Sequence, residues 1–195
     1  MLAPAFPEPV LASQAVFRAV MDAFARPGVI KPLPRARAVP PPLGESAAAI
    51  LCALLDYETP VWLDPALAAV PEVAEWIRFN AGARVTADPR QAAFAVIADP
   101  ACAPPFEQFA LGTDEYPDRS TTLVLQVRSF GCGERLSLTG PGIAGRASLA
   151  AEPLPADLYD RLAANRAWFP RGVDLILVSA GSVAALPRSV IAERG

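Results

Sequence analysis

The sequence predicts one α/β domain layered around a mixed sheet. Helical and strand patterns alternate over the first half of the chain, and strand and turn patterns dominate the second. The 195 residues show no internal repeat and make one domain, residues 1–195. The chain is 53% hydrophobic and 19% charged, the balance of a globular protein and not of a disordered one.

Residues 1–12 are rich in Pro and Ala and read as extended. Ser13 is placed to cap a helix that runs to about Ala25. Val16, Phe17, Val20, Met21 and Phe24 form its apolar stripe, opposite Arg18 and Asp22. Pro27 and Gly28 stop it. Residues 29–33 suit an edge strand, because Pro32 has no N–H to give to a ladder. The triple proline 40–42 is a stiff connector. A helix over residues 45–55 is apolar on most faces and must be buried. Residues 59–63 read as a strand. Asp64–Pro65 then pairs an N-cap with a proline at the first helical position. The helical segment it opens reaches about Asn80, with Pro71 as a break point and Val73, Trp76, Ile77 and Asn80 on one side. Asp88–Pro89–Arg90–Gln91 repeats the start signal, with Gln91 placed as in a capping box. Residues 94–98 are continuously apolar, as in a buried strand.

In the second half, residues 121–127 and 134–139 read as a β-hairpin around the Gly131–Cys132–Gly133 turn. Gly140–Pro141–Gly142 forms the next turn, before a short strand near residues 146–150. A helix over residues 156–168 sets Leu158, Leu162, Asn165 and Phe169 in register. Residues 173–178 form a buried strand, and residues 183–186 and 189–192 two short ones.

Composition excludes more chemistry than any motif admits. Histidine is absent, which removes the commonest general base, the commonest metal ligand and every Ser–His or Cys–His pair. Lys31 is the single lysine among 17 basic residues, so a Schiff base has one candidate, beside a proline. Cys52, Cys102 and Cys132 are an odd set without a C-x-x-C spacing; they read as free thiols in a reducing cytoplasm, and no metal site is expected. The net charge of −3 and the lack of a basic cluster argue against nucleic acid as a partner. The longest apolar run, residues 47–55, is far short of the ~20 residues a membrane helix needs. No basic n-region with an apolar core opens the chain, so no secretory signal is expected.

Four segments could carry chemistry, and each has a plainer reading. Gly140 and Gly142 can expose backbone N–H groups to an anion, or simply close a hairpin; Pro141 between them has no N–H, and the spacing fits neither G-x-G-x-x-G nor a Walker loop. Arg171 can bind a phosphate or carboxylate at the mouth of the strand that Asp174 begins, or lie on a surface turn. Asp118, Arg119, Ser120 and Thr121 can line a pocket or cap a loop. Asp56 and Glu58 can form an acid/base pair or end a helix.

Several segments taken in order carry a resemblance. They are Phe17–Arg18 with Met21 and Ala25–Arg26–Pro27–Gly28; Leu54–Leu55–Asp56 with Glu58 and the run to Leu63; and Leu111–Gly112–Thr113 with Pro117 and Ser120. Residues 122–127, residues 138–143, Asn165 with Phe169–Pro170–Arg171–Gly172–Val173–Asp174, and Leu186–Pro187–Arg188 complete the set. Together they resemble the PhnH subunit of the bacterial carbon–phosphorus lyase core complex, over nearly the whole chain.

The resemblance implies a part in phosphonate breakdown. In that family the core complex joins the H subunit to G, I and J subunits. With the L subunit, the G, H and I subunits carry out the first step, in which a phosphonate displaces adenine from ATP to give a ribose 1-phosphonate 5-triphosphate. The J subunit later cleaves the C–P bond with an iron–sulfur cluster and S-adenosylmethionine. The implied fold is a three-layer α-β-α domain with a mixed sheet, similar to pyridoxal-phosphate-dependent transferases but without the cofactor, which agrees with the scarcity of Lys. The implied protein is cytoplasmic, homodimeric when isolated, free of cofactors and without catalytic residues of its own. The residues keep a second reading open, a self-sufficient small-molecule enzyme that binds an anion near Arg171. Its candidate ligand-binding residues are Arg119, Ser120, Gly140, Gly142, Arg171, Asp174 and Arg188.

Overall fold

The computed structural model describes residues 3–195. Helix α1 spans Pro9–Ala25 and so overturns the extended reading of residues 9–12; residues 1 and 2 lie outside the described ones. Pro9, not Ser13, begins this helix, because proline at the first helical position forfeits only an N–H that has no partner there. Val16, Val20 and Ala23 face the core, while Phe17 and Met21 are each 49% exposed. The buried face is thus rotated away from two of the five residues of the expected stripe.

The main sheet has seven strands. They are β1 (Lys31–Pro32), β2 (Val61–Leu63), β3 (Val85–Thr86), β4 (Phe94–Ile97), β5 (Thr122–Gln126), β8 (Asp174–Ser179) and β9 (Ser182–Leu186), in the order β1-β9-β8-β5-β4-β2-β3. Strands β3, β2, β4, β5 and β8 run parallel; β9 is antiparallel to both β8 and β1. Leu123, Val124 and Leu125 of β5 are all buried, as are Leu175 through Val178 of β8. Strands covered on both faces need such continuous apolar runs.

One face of the sheet is covered by α1, α2 (Glu45–Leu54) and α4 (Pro71–Ala81), which pack on Val61, Val96, Val124 and Ile176. Asp64 caps the short helix α3 (Pro65–Ala68) through the Leu67 N–H, at 2.9 Å, and Pro71 restarts the chain as α4, so the expected break is real. Asp64 also accepts from the Ala98 N–H at 2.8 Å, which ties the ends of β2 and β4 together.

The opposite layer departs from a purely helical one. It is a three-stranded antiparallel sheet, β10 (Ile191–Arg194), β6 (Ser129–Thr139) and β7 (Ala147–Glu152), with α5 (Leu158–Ala167) beside it. The hairpin expected between residues 121–127 and 134–139 does not form. The apolar β5 lies inside the main sheet, and Gly131–Cys132–Gly133 sits within the single strand β6. There Phe130 pairs with Ala151 and Arg135 with Ala150, so residues 131–134 loop outward as a bulge. The true hairpin is β6–β7, and Gly140–Pro141–Gly142 lies in its turn.

Smaller corrections follow from the same packing. Asp88 caps a single 3-10 turn, Pro89–Gln91, and not a longer helix. Phe169 is 52% exposed, because α5 ends at Ala167 and the chain turns away before reaching it.

Candidate functional site

The amino ends of β5 and β8 lie side by side, with Thr122 paired to Asp174. Three of the candidate residues meet there. Arg188, just after β9, donates from Nε to both carboxylate oxygens of Asp174 at 3.2 Å, and its Nη2 donates to Asp174 Oδ2. Nη2 also reaches the Ser120 hydroxyl, and Nη1 donates to the carbonyls of Pro117 at 2.8 Å and Pro170 at 3.4 Å. The Arg188 backbone N–H adds a bond to Asp174 Oδ1 at 2.8 Å. Both side chains are largely shielded, 13% exposed for Arg188 and 21% for Asp174.

A guanidinium has five N–H donors in a fixed planar fork. Here each nitrogen is engaged within the chain, so Arg188 acts as a clamp. It joins the loop before β5, the turn before β8 and the segment after β9. A depression of about 370 Å³ lies over the clamp, walled by Pro117, Phe169, Pro170 and Pro187.

The other candidates lie around this clamp or away from it. Arg171 pairs with Asp114 at 3.3 Å on the surface. Arg119 stacks over the exposed Tyr116 ring at 4.2 Å, an arrangement that Arg166 repeats over Phe169 at 4.8 Å. Gly140, at φ +137°, abuts the next residues after the clamp; a Cβ there would lie 3.2 Å from the Ser189 carbonyl. Gly142, at φ +80°, packs against the Ala25 carbonyl at the end of α1, where no side chain fits. The structure therefore gathers Ser120, Asp174 and Arg188, sets Gly140 beside them, and places Gly142 elsewhere.

Sequence reasoning missed how the turn before β8 is held. Asn165 of α5 is 2% exposed; its Oδ1 accepts from the Val173 N–H at 2.8 Å and its Nδ2 donates to the Val173 carbonyl at 2.9 Å. The side-chain amide thereby pairs with Val173 as a neighbouring strand would. Gly172, at φ +125°, is required beside it, since a Cβ would lie 2.5 Å from Asn165 Oδ1. A polar residue on the buried face of α5, seven residues before the Gly172–Val173 step, was the available signal. Thr121, fully buried, makes a similar bridge from the Ala110 N–H to the Ala92 carbonyl. Asp56 is a turn-former, accepting from the Glu58 N–H at 2.9 Å and the Thr59 hydroxyl at 3.0 Å.

The family model for PhnH, the bacterial phosphonate metabolism protein, matches residues 4–193. The chain belongs to the PhnH family. A family relative from Rhizobium meliloti (strain 1021), "alpha-D-ribose 1-methylphosphonate 5-triphosphate synthase subunit PhnH", is 48% identical over 190 residues, 97% of this chain and 94% of the relative. A second, the "putative C-P lyase subunit protein HtxG" of Stutzerimonas stutzeri, is 31% identical over 189 residues, 90% of this chain and 83% of the relative. Membership of the family accounts for the motif series as a whole, and the structure gives several of its segments a local task. Among the described residues, no group of three or more His, Cys, Asp or Glu is placed to hold a metal, and no helix is long and apolar enough to cross a membrane.

Proposed function

We propose that this chain is the H subunit of a ribose 1-methylphosphonate 5-triphosphate synthase and acts in the cytoplasm, within a C–P lyase core complex. The single observation that carries the reading is the 48% identity to a subunit of that name, extending over 97% of this chain. The clamp supports a non-catalytic role, since Arg188 and Asp174 spend their polar groups on each other and on neighbouring loops. In this reading the residues singled out from sequence, Arg119, Ser120, Gly140, Gly142, Arg171, Asp174 and Arg188, shape a rigid surface for assembly. Partners are the G, I and J subunits, with the L subunit needed for turnover, and the isolated chain is a homodimer. In this reading the fold resembles that of pyridoxal-phosphate-dependent transferases but without the cofactor, and Lys31, the single lysine, pairs with Asp22 at 3.1 Å.

The test is reconstitution. The chain alone, and the G, H, I and L set with and without it, are assayed for adenine release from ATP and methylphosphonate. The expected result is release by the full set, and none by the chain alone or by the set lacking it. Release by the isolated chain overturns the subunit reading, and full activity without it shows that the complex does not need this subunit.

A further inference from the structure

Helix α1 carries two apolar faces. Val16, Val20 and Ala23 pack into the core. Val10, Phe17 and Met21 fall within about 40° of one another on a second face, at 3.6 residues per turn. That face is open among the described residues: Val10 is 81% exposed, the flanking Leu11 61%, and Phe17 and Met21 are half exposed. A row of large apolar side chains left in water marks an interaction surface.

The row is spaced to meet another helix. Residues 10, 14, 17 and 21 follow one another at intervals of 4, 3 and 4, the seam of a coiled coil, with Gln14 as its one polar member. The seam is also its own complement. In an antiparallel pair about a twofold axis between residues 15 and 16, Val10 meets the partner's Met21, and Gln14 meets the partner's Phe17. Such self-complementarity is what an isologous interface between two copies requires.

Charge favours the same arrangement. The seam holds no charged side chain, and the exposed Arg18 flanks it. A parallel pair would set Arg18 against its own copy. The antiparallel pair sets it level with the partner's Ser13 and opposes the two helix dipoles. The overlap runs over residues 9–22, about 20 Å of helix. A stable dimer buries ~800 Å² of each partner, more than one helix face of that length offers. Val29 and Ile30, both exposed, extend the apolar surface beside the same helix end, where Lys31 pairs with Asp22.

We propose that the outer face of α1, centred on Phe17 and Met21, is the surface through which two copies of this chain pair, with their α1 helices antiparallel. The proposal rests on the homodimer reading and names its surface.

The test measures the mass of the full chain by light scattering across a dilution series. The expected result is about twice 20.5 kDa for the wild type. Phe17→Glu and Met21→Glu should each raise the dissociation constant tenfold or more, the loss of a central apolar anchor, with an unchanged circular dichroism spectrum. Crosslinking gives an independent readout. With Cys102 and Cys132 replaced by Ser, a chain carrying both Val10→Cys and Met21→Cys should oxidise to a covalent dimer, and each single cysteine variant should not. A monomeric wild type overturns the homodimer reading and this surface with it. A dimer undiminished in Phe17→Glu and Met21→Glu overturns this surface alone. Covalent dimers from the single cysteine variants overturn the antiparallel pairing.

Discussion

Arg188 and Asp174 hold each other by main chain and side chain together: the carboxylate takes the Arg188 backbone N–H on one oxygen and the guanidinium on both. Two ends of antiparallel neighbours, the start of β8 and the exit from β9, are locked by one pair. The same guanidinium then holds the loops that carry Pro117 and Pro170. The Leu186–Pro187–Arg188 and Pro170–Arg171–Gly172–Val173–Asp174 segments, distant in sequence, are two halves of this one joint.

Arg188→Ala should be strongly destabilising. It leaves a shielded carboxylate, a hydroxyl and two carbonyls without their donor, and breaking such a pair from one side costs about 3 kcal/mol or more. Arg188→Lys should recover little, because an ammonium cannot span the fan of acceptors that the planar fork meets. Urea unfolding followed by circular dichroism checks both variants; a loss under about 1 kcal/mol for Arg188→Ala would mean the joint is slack in solution.

Asn165→Ala should cost about 3 kcal/mol, since it leaves the N–H and carbonyl of Val173 buried and unpaired at ~1–3 kcal/mol each. Asn165→Asp keeps the acceptor for the Val173 N–H but loses the donor to its carbonyl, so it should fall between wild type and alanine. Thermal unfolding of the three proteins gives the order. Equal melting temperatures would show that water replaces the amide.

Elements whose signals are local were legible in the sequence. Asp64–Pro65 and the Pro71 break fixed α3 and α4, and the apolar runs fixed β4, β5 and β8. What depended on long-range pairing was misread. Gly131 and Gly133 look like a turn, but both take positive φ inside β6, where a bulge absorbs the extra residues. The partners of β6 are β7 and the distant β10, and no local pattern announces a strand more than fifty residues away. At the candidate site, three of the polar residues singled out, Ser120, Asp174 and Arg188, meet in one hydrogen-bonded network. That Arg188 also spends Nη1 on two proline carbonyls was invisible, because backbone acceptors leave no mark in a sequence.

Leu177→Ala should cost ~2–5 kcal/mol, the range for truncating a buried aliphatic side chain. Leu177 is fully buried at the middle of β8, paired with Leu125 on one side and Ala184 on the other. It faces the layer formed by the small sheet and α5, so the cavity would open between the two sheets. Denaturant unfolding measures it. A melting temperature and midpoint equal to wild type would place this side chain outside the core.

The three thiols should separate sharply in reactivity. Cys102 and Cys132 are exposed, whereas Cys52 lies in α2 against the core, where burial pushes its thiol up from 9.0 to about 12. The thiolate is the reacting form, so a three-unit rise leaves about a thousandth of the ordinary thiolate population at pH 8. Labelling with a maleimide at pH 8, read by mass spectrometry, should modify Cys102 and Cys132 within minutes and reach Cys52 only after denaturation. The same displacement sets a stability change in alkali. A folded-state value above the unfolded one means the native state holds this proton while the unfolded chain releases it. The contribution is therefore complete below about pH 9, and it declines as pH rises toward about 12. Cys52→Ala, which has no proton to lose, should show a shallower fall in stability over that interval than wild type. Parallel slopes for the two proteins would show that Cys52 titrates normally in the folded state.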